Sequence, residues 1–343
     1  MSEQKIRNME EFAAVSGLSR PTVSKYFNDP ESVRASTRKR IEAALECYDF
    51  RPNIYAVNQN RRLTKNIGIV VPYLADPFFA EIARTIETLC IKAGFRPILL
   101  SSHGEKDLER ENLDSLLSLK PAGVLLAPLG RASDKSMIER FCRDVPTVLF
   151  DSNIEGMGEA FIGSDNVSFV NQTVDYLCRS GEPPCFFEMR RPANPNANKR
   201  RNAYIDAMEL RGENPVVVSV EGDGWEFEEI GRQGAHSAIA AGDFKTNTIL
   251  CSNDRLAIGV LAACYERGLR VGRGSGSALR VASHDDHPFS RFTCPALTTA
   301  AHDYAAVAGR SVETLFELIE SGGKFRERPE SLFPAHLAIR ASA

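Results

Sequence analysis

The sequence predicts an α/β protein in which an all-α helix-turn-helix head precedes two doubly wound subdomains. Two observations carry this prediction. Residues 9–48 show three short amphipathic patterns of helical period, and from residue 67 onward short apolar runs alternate with helical patterns, which is typical of parallel βα units. This alternation occurs twice in succession, and a chain of 343 residues with 43% hydrophobic content is long enough for two or three domains.

The stretch from Leu18 to Asn28 predicts a helix with one packing face and one free face. Val23, Tyr26 and Phe27 follow the i, i+3, i+4 spacing of a buried helical face. Ser19 can cap the helix start by accepting a hydrogen bond from a free backbone N–H. The side chains that remain on the other faces are those of Arg20, Thr22, Ser24, Lys25 and Asn28.

Two neighbouring helices complete the predicted head. A short amphipathic helix with Phe12 on its apolar face ends at Gly17, where glycine permits the positive φ of a tight turn. A third helix follows, with Ile41 and Ala44 on one face. Helix pairs with a glycine turn also occur in proteins that never contact DNA. However, the first 65 residues contain 12 Lys and Arg against 8 Asp and Glu, whereas the rest contain 30 against 37, and this asymmetry favours a DNA-binding head.

The remaining sequence predicts two series of strands and helices. The first series has strands at 67–71, 96–101, 123–127 and 147–150, with helices at 77–93, 106–119 and 133–142. The second has strands at 184–189, 215–220, 248–251 and 279–283, with helices at 167–179, 198–211, 225–241 and 254–267. A strand at 296–301, a helix at 304–321 and a strand at 332–340 follow. Two such series predict two α/β subdomains with a crevice between them.

The residues that follow the predicted strands are mostly polar. Ligands of open parallel sheets bind outside the carboxyl ends of the strands, so these residues indicate a polar binding site. Carboxylates and amides can exchange hydrogen bonds with hydroxyl groups, and aromatic rings can stack on the apolar face of a sugar. Taken singly, such a residue is as well explained as a helix N-cap or loop residue. The candidates are Phe78, Asp151, Trp225, Asn253, Asp285 and Tyr304.

Two stretches contain residue types found in metal or phosphate sites. Residues 284–287, HDDH, offer metal-ligand types, but neighbouring side chains on a strand alternate faces and do not easily converge on one ion. The glycine-rich stretch 272–276 follows a predicted helix and precedes a strand, whereas a phosphate-binding loop follows a strand and opens a helix. We therefore expect no metal, no cofactor and no catalytic residues.

The cysteines and the apolar runs indicate the compartment. The eight cysteines contain no CxxC pair and mostly lie in apolar runs, so we expect reduced thiols with neither disulfides nor zinc. The N-terminus has no apolar signal segment, and no run is long enough to span a bilayer. We expect a cytoplasmic protein without membrane contact.

Several stretches resemble, in the same order, those of the lac-repressor (LacI/GalR) family of bacterial transcription regulators. In the head these are residues 9–13, 16–20, 22–25, 28 and 50–53, and in the core they are residues 76–79, 150–151, 200–204, 252–254, 283–286 and 295–299. The resemblance covers nearly the whole chain. It implies a periplasmic-binding-protein-like core, a homodimer or higher oligomer, and double-stranded operator DNA as a partner.

The resemblance also implies which residues contact DNA. The segment 51–65 by itself is better explained as a solvated linker, but in the family the corresponding segment is a hinge helix that inserts a leucine wedge into the minor groove. This chain has Gln59 at the wedge position, which predicts a smaller DNA bend. The implied DNA-binding residues are Ser19, Arg20, Pro21, Thr22, Ser24, Lys25, Asn28, Asn53, Ala56 and Gln59.

In the core the resemblance implies effector contacts by Asp151, Arg200, Asn253 and Asp285. His284 stands where the family has an aromatic residue, so the effector need not be an ordinary hexose. We therefore predict a ligand-responsive, sequence-specific DNA-binding regulator, a repressor of sugar or related carbon-source genes. The small polar effector would be a sugar, polyol, sugar acid or sugar phosphate, and its binding would shift a conformational equilibrium.

The alternative function is a sugar- or nucleotide-modifying enzyme with an appended DNA-binding head. In either case the domain organisation predicted from the sequence is the same. The head spans residues 1–50, the hinge 51–65 and the core 66–343. The first subdomain of the core comprises about 66–163 and 291–321, and the second about 164–290 and 322–343.

Overall fold

The structure is a computed structural model that describes residues 6, 8–28, 30–48, 50 and 64–343. The chain divides into two compact units, Met1–Thr64 and Lys65–Ala343. The predicted hinge contacts Asn53, Ala56 and Gln59 lie outside the described residues. In the part of the chain that the structure describes, no helix is both long enough and apolar enough to cross a membrane.

Three helices form the head: α1 (Met9–Ser16), α2 (Arg20–Asn28) and α3 (Ala35–Cys47). The side chain of Asn8 caps the start of α1 by accepting a hydrogen bond from the backbone N–H of Glu11. Gly17 ends α1 with a φ of 65°, which glycine adopts without strain. The hydroxyl of Ser19 accepts a hydrogen bond from the backbone N–H of Thr22 at 3.4 Å, which confirms Ser19 as the cap of α2.

A small apolar core holds these helices together. Phe12 is fully buried, and its ring stacks on that of Phe50 with 4.6 Å between the centroids. Val23 of α2 and Ile41 of α3 are also fully buried, while Phe27 packs against them partly buried. The predicted packing faces of α2 and α3 are therefore confirmed.

The first βα series follows the predicted pattern closely. Its elements are β1 (Asn66–Val71), α4 (Pro77–Lys92), β2 (Arg96–Ser101), α5 (Lys106–Leu119), β3 (Gly123–Leu126), α6 (Lys135–Asp144), β4 (Thr147–Phe150) and β5 (Ala160–Ser164). β5 was not predicted from the sequence; it is a strand of five residues that pairs with β4 without an intervening helix. Short strands without a helix before them lack the alternation that identified the others.

The second series and the end of the chain also alternate. The elements are α7 (Asn166–Ser180), β6 (Cys185–Met189), α8 (Asn196–Glu209), β7 (Val217–Val220), α9 (Phe227–Ala241), β8 (Thr248–Cys251), α10 (Asp254–Glu266), β9 (Arg280–Asp285), β10 (Thr298–Ala301), α11 (Tyr304–Glu320), β11 (Glu330–Phe333) and β12 (His336–Ala338). The glycine-rich stretch 272–276 lies in the connection from α10 to β9, as predicted.

Two six-stranded sheets organise the core. The first subdomain has the strand order β11-β5-β4-β3-β1-β2, and the second has β12-β10-β9-β8-β6-β7. All neighbouring strands are parallel except β10 and β12, which are antiparallel. Helix α11 packs on α4 and on β3 to β5 of the first subdomain. The two doubly wound α/β subdomains are therefore confirmed.

The chain crosses between the sheets at other points than the sequence analysis expects. Residues 291–321 are expected in the first subdomain, but β10 pairs with β9, with Thr299 opposite Ser283, and so belongs to the second sheet. Residues 332–340 are expected to form one strand of the second subdomain, but β11 pairs with β5 in the first sheet and only β12 pairs with β10 in the second. A break of two residues between β11 and β12 lets the chain change sheets, and no apolar pattern marks it.

The cysteines are all free thiols. Cys90, Cys185, Cys251 and Cys264 are buried, as expected for core residues. The exceptions to the expected burial include two exposed thiols, those of Cys47 and Cys294.

Candidate DNA-binding head and effector site

One face of α2 carries polar and basic side chains that solvent reaches. The Arg20 side chain is 65% exposed, and its Nε lies 3.5 Å from Oε1 of Glu10. Such an exposed ion pair contributes little to stability, so Arg20 can exchange it for a DNA contact. The side chain of Asn28 lies outside the described part of the structure. The other predicted contacts of the head are exposed or half-exposed, namely Ser19, Pro21, Thr22, Ser24 and Lys25.

Two arginines of α3 stabilise the head itself. Nη2 of Arg40 donates hydrogen bonds to the carbonyl oxygens of Ser16 at 3.2 Å and Gly17 at 3.0 Å, and so holds the turn between α1 and α2. The guanidinium of Arg38 binds the carboxylate of Glu31, with 2.9 Å between Nη2 and Oε2. Part of the basic charge of the head is therefore engaged in contacts within the head.

An inner cavity of about 20 Å³ lies in the crevice between the two subdomains of the core. Asp151 follows β4 of the first subdomain, whereas Arg200 on α8 and Asp285 at the end of β9 belong to the second. Asn253 caps α10 by accepting a hydrogen bond from the backbone N–H of Leu256 at 2.8 Å. Five of the seven predicted effector residues line this cavity, namely Phe78, Asp151, Arg200, Asn253 and Asp285.

Arg200 and Asp285 form a buried ion pair. Nη2 of Arg200 lies 2.7 Å from Oδ1 of Asp285, and the two side chains are 7% and 9% exposed. Arg200 also donates hydrogen bonds to Oδ1 of Asn166 at 3.1 Å and to the carbonyl oxygen of Ser252 at 2.8 Å. Burial alone would raise the pKa of Asp285, but the Arg200 guanidinium and two neighbouring histidines outweigh it and hold the pKa well below its usual range. Asp285 is therefore ionised, and its charge is fixed toward the cavity.

Asp151 faces this pair from the first subdomain. Its Oδ1 accepts a hydrogen bond from Nδ2 of Asn196 in the second subdomain at 2.9 Å. Its Oδ2 is buried and has no hydrogen-bond partner among the described residues. Both Asp151 and Asp285 have positive φ, of 59° and 122°, which is strained for a residue other than glycine. A ligand hydroxyl could donate to the unpaired oxygen of Asp151.

Trp225 and Tyr304 lie outside the inner cavity. The structure therefore does not place them in one pocket with the other five predicted effector residues. Trp225 stacks on Tyr73 of the first subdomain, with 5.2 Å between ring centroids and 12° between ring planes. The hydroxyl of Tyr304 donates a hydrogen bond to the carbonyl oxygen of Asp285. Each ring is therefore occupied by a contact across the crevice, which the sequence does not reveal.

A larger outer chamber of about 690 Å³ opens in the same crevice, and Trp225 lines it. Two glycines let the subdomains approach each other here. A Cβ on Gly104, whose φ is 79°, would lie 2.5 Å from Nε1 of Trp225, and a Cβ on Gly130, whose φ is 70°, would lie 2.9 Å from Cγ of Pro195. The outer chamber has the size of a small-molecule pocket, whereas the inner cavity is too small for a sugar ring.

Seven further residues line the inner cavity and were not predicted from the sequence as effector contacts: Asp76, Asn194, Ala197, Phe227, Ser252, Arg255 and His287. Asp76 caps α4 by accepting a hydrogen bond from the backbone N–H of Phe78 at 3.0 Å. Arg255 lies two residues after the predicted Asn253, in the first turn of α10. Its position just after the carboxyl end of β8 is the signal that could have identified it.

Residues 284–287 do not converge on one point. His284 packs against Phe169, with 5.1 Å between ring centroids, and Asp286 binds Arg340 with 2.6 Å between Oδ1 and Nη1. Nε2 of His287 lies 3.4 Å from Oδ2 of Asp285. Among the residues that the structure describes, no three His, Cys, Asp or Glu side chains are grouped to hold a metal ion.

Three buried groups with raised pKa values make the stability of the core depend on pH. Burial raises the pKa of Asp151 to about 7 and that of Asp254 to about 6. Burial lowers the pKa of His287, but the carboxylate of Asp285 and other acidic neighbours outweigh it and raise the pKa to about 9. In each case the folded state binds the proton more tightly than the unfolded state. The stability that these three groups contribute should therefore be lost as the pH rises, between about pH 4 and 7 for the two aspartates and between about pH 6.5 and 9 for His287, by up to about 1.4 kcal/mol per pH unit for each group. Burial lowers the pKa of His284 and of His302, so these two histidines act in the opposite direction below about pH 6.5.

Thermal unfolding of the core over this pH range measures the effect. The midpoint should decrease between about pH 6.5 and 9. The midpoint of the wild type relative to that of Asp151→Asn should decrease between about pH 4 and 7, because the amide of the variant does not titrate. A midpoint that rises between about pH 6.5 and 9 would contradict the surroundings described for His287, and a constant difference between the wild type and Asp151→Asn would contradict those described for Asp151.

The head and the core each match known proteins. Residues 8–53 match the bacterial regulatory proteins of the lacI family, and residues 176–343 match the periplasmic binding protein-like domain. The HTH-type transcriptional repressor PurR of Pasteurella multocida is 26% identical over 336 residues, covering 97% of this chain and 98% of the relative. The ribose operon repressor of Escherichia coli is 26% identical over 293 residues, covering 85% and 86%.

Solved structures show the same architecture. The crystal structure of the lac repressor dimer bound to operator and the anti-inducer ONPF superposes with a TM-score of 0.82 at 22% identity, covering 99% of each chain. The family match of the head, the domain match of the core and the full-length relatives agree in their order along the chain. The chain therefore combines a DNA-binding domain of the lacI family of bacterial regulatory proteins with a periplasmic binding protein-like domain, and it is similar over almost its whole length to transcriptional repressors.

Proposed function

We propose that this protein is a transcriptional regulator whose head binds operator DNA and whose crevice binds a small polar effector. The observation that carries the proposal is the combination, in one chain, of a helix-turn-helix with an exposed polar and basic face and a crevice lined by ionised and hydrogen-bonding side chains. Effector binding changes the arrangement of the two subdomains and thereby the affinity for DNA.

The effector is a molecule with several hydroxyl groups, such as a sugar or polyol. The acceptors available to it are Asp285, which is ionised, and Oδ2 of Asp151, which is buried and unpaired among the described residues. One relative is named for the ribose operon, which agrees with this class. Because the inner cavity is about 20 Å³, a sugar ring reaches these carboxylates only when the subdomains separate or when the ligand extends from the outer chamber.

The protein acts on DNA as a homodimer. The second subdomain exposes three aromatic side chains, with Tyr265 at 85%, Phe289 at 62% and Phe292 at 79%. Exposed aromatic residues in one region are typical of a protein interface. The related lac repressor structure is described as a dimer on its operator. Sedimentation equilibrium of the intact chain tests this part of the proposal.

We favour a regulator over an enzyme because the full-length relatives are transcriptional regulators. A regulator of this kind works in the cytoplasm, where the chromosome is. Incubation of the protein with any compound that binds it distinguishes the two functions: an enzyme converts the compound, whereas a regulator releases it unchanged.

Selection of DNA from a random pool tests the proposed function. A dimer presents two α2 helices to successive turns of the major groove, so the selected sequence should be a near-palindrome. A thermal-shift screen with sugars, polyols, sugar acids and purines then identifies the effector, because a ligand that binds only the folded state raises the unfolding midpoint. Selection that yields no common sequence would contradict the proposal.

Lys25→Ala should weaken binding to the selected DNA by roughly 1–3 kcal/mol if Lys25 contacts a base. Lys25 is exposed on α2 and is not needed to hold the head together. Binding to the selected site and to random DNA should be compared at the same salt concentration. Glu46→Ala, at an exposed position of α3, is the control and should bind both normally. An equal loss on both DNAs would mean that Lys25 contacts only phosphates.

A further inference from the structure

One buried arginine links the two subdomains across the crevice. Nη1 of Arg255 in the second subdomain lies 3.1 Å from Oδ2 of Asp76 in the first, and these side chains are 9% and 8% exposed. On its other side Arg255 binds Glu228 of α9 with two hydrogen bonds of 2.7 Å, one from Nε and one from Nη2. Its guanidinium also lies over the ring of Phe227, 5.0 Å from the centroid.

This geometry fixes the position of the Arg255 guanidinium and leaves its Nη1 to bind the first subdomain. The two-pronged contact with Glu228 and the contact with Phe227 both lie within the second subdomain and orient the guanidinium. Nη1 is then free to bind Asp76. Separation of the subdomains breaks this contact, so the closed form has an attraction between opposite charges at 3.1 Å that the open form lacks.

We propose that Asp76, Arg255 and Glu228 form a latch that holds the two subdomains closed and thereby sets the midpoint of the effector response. The second part of this statement rests on the proposed function, whereas the first concerns the core alone. Arg255 is a positioning residue, because it acts on the equilibrium between the closed and the open crevice. An effector that binds the open form must overcome the contacts of the latch, whereas an effector that binds the closed form is favoured by them.

The protein contains its own reporter of crevice closure. Trp225 is the one tryptophan in the sequence. It belongs to the second subdomain, stacks on Tyr73 of the first, and is 5% exposed. Separation of the subdomains removes this stacking and exposes the indole. Quenching of tryptophan fluorescence by acrylamide therefore measures the open fraction without DNA and without a known effector.

Arg255→Gln should lower the closed-to-open ratio by about tenfold, equivalent to ~1.4 kcal/mol. The acrylamide quenching constant should rise and the emission maximum should shift to the red. Asp76→Asn should act in the same direction, because asparagine can still cap α4 but carries no charge for Arg255. The double variant should be no more open than the single variants, since both remove the same contact.

Arg232→Gln is the matched control. Arg232 lies on α9 and binds Glu229 and Glu266, both within the second subdomain, so its loss should leave quenching unchanged. Circular dichroism verifies that each variant is folded, and Asp76→Asn carries the test if Arg255→Gln does not fold. Quenching of Asp76→Asn and Arg255→Gln equal to that of Arg232→Gln would overturn the latch. So would additive effects in the double variant. Neither result depends on whether the chain binds DNA.

Discussion

Replacing Arg200 with alanine is expected to lower the free energy of unfolding of the core by about 3–5 kcal/mol. The reason is that Asp285 would remain buried without the guanidinium that lies 2.7 Å from it, and the hydrogen bonds to Asn166 and Ser252 would also be lost. Urea unfolding followed by circular dichroism measures the change. The same variant should lose its response to the effector, because the cavity wall on the side of the second subdomain is no longer formed.

Arg179→Ala provides the comparison for this variant. Arg179 lies on α7, its side chain is 79% exposed, and its Nε lies 3.2 Å from Oδ2 of Asp175, which is 36% exposed. An exposed ion pair contributes much less to stability, so we expect a loss of no more than about 1 kcal/mol. Equal losses in the two variants would mean that the Arg200–Asp285 pair does not have the structural role described above.

Replacing Phe12 with alanine should abolish DNA binding while the core stays folded. Phe12 is fully buried between Phe50 and Phe27, at 4.6 Å and 6.0 Å between ring centroids. Removal of a buried phenylalanine costs about 3–5 kcal/mol. A domain as small as the head has a small free energy of unfolding. The expected result is complete loss of binding to the selected operator, with an unchanged unfolding midpoint of the core.

Val15→Ala tests whether this effect comes from the core of the head. Val15 also lies on α1 but is 38% exposed, so its truncation should leave DNA binding nearly normal. If Phe12→Ala bound the operator like Val15→Ala, the helical packing described for the head would be wrong.

The sequence predicted most of the fold because each buried strand is a continuous apolar run. Residues 67–71 and 147–150 show this directly, because all residues of these runs except Gly68 and Thr147 are hydrophobic. The last strands could not be assigned in the same way. Glu330–Phe333 alternates exposed and half-buried positions, and which sheet it joins depends on a pairing with β5 about 170 residues earlier in the chain. Local pattern contains no information on such a pairing.

The candidate site could be predicted only in part for a related reason. Asp151 and Asp285 follow apolar strands, and the position at a strand end is visible in the sequence. The contact between Asp76 and Arg255 joins residues 179 positions apart on two different subdomains. Trp225 was expected to face a sugar, but its ring stacks on Tyr73. Contacts between the two subdomains depend on how the subdomains are arranged, and the local sequence around each residue does not show which residue of the other subdomain lies opposite.

The most direct test of the account is the affinity of the intact protein for its selected operator, measured with and without a compound that raises its unfolding midpoint. The account predicts that saturating compound changes the affinity by about 5- to 150-fold, which corresponds to a coupling of about 1–3 kcal/mol. Operator DNA should change the affinity for the compound by the same factor. An operator affinity that is the same with and without saturating compound would contradict the claim that the crevice controls DNA binding.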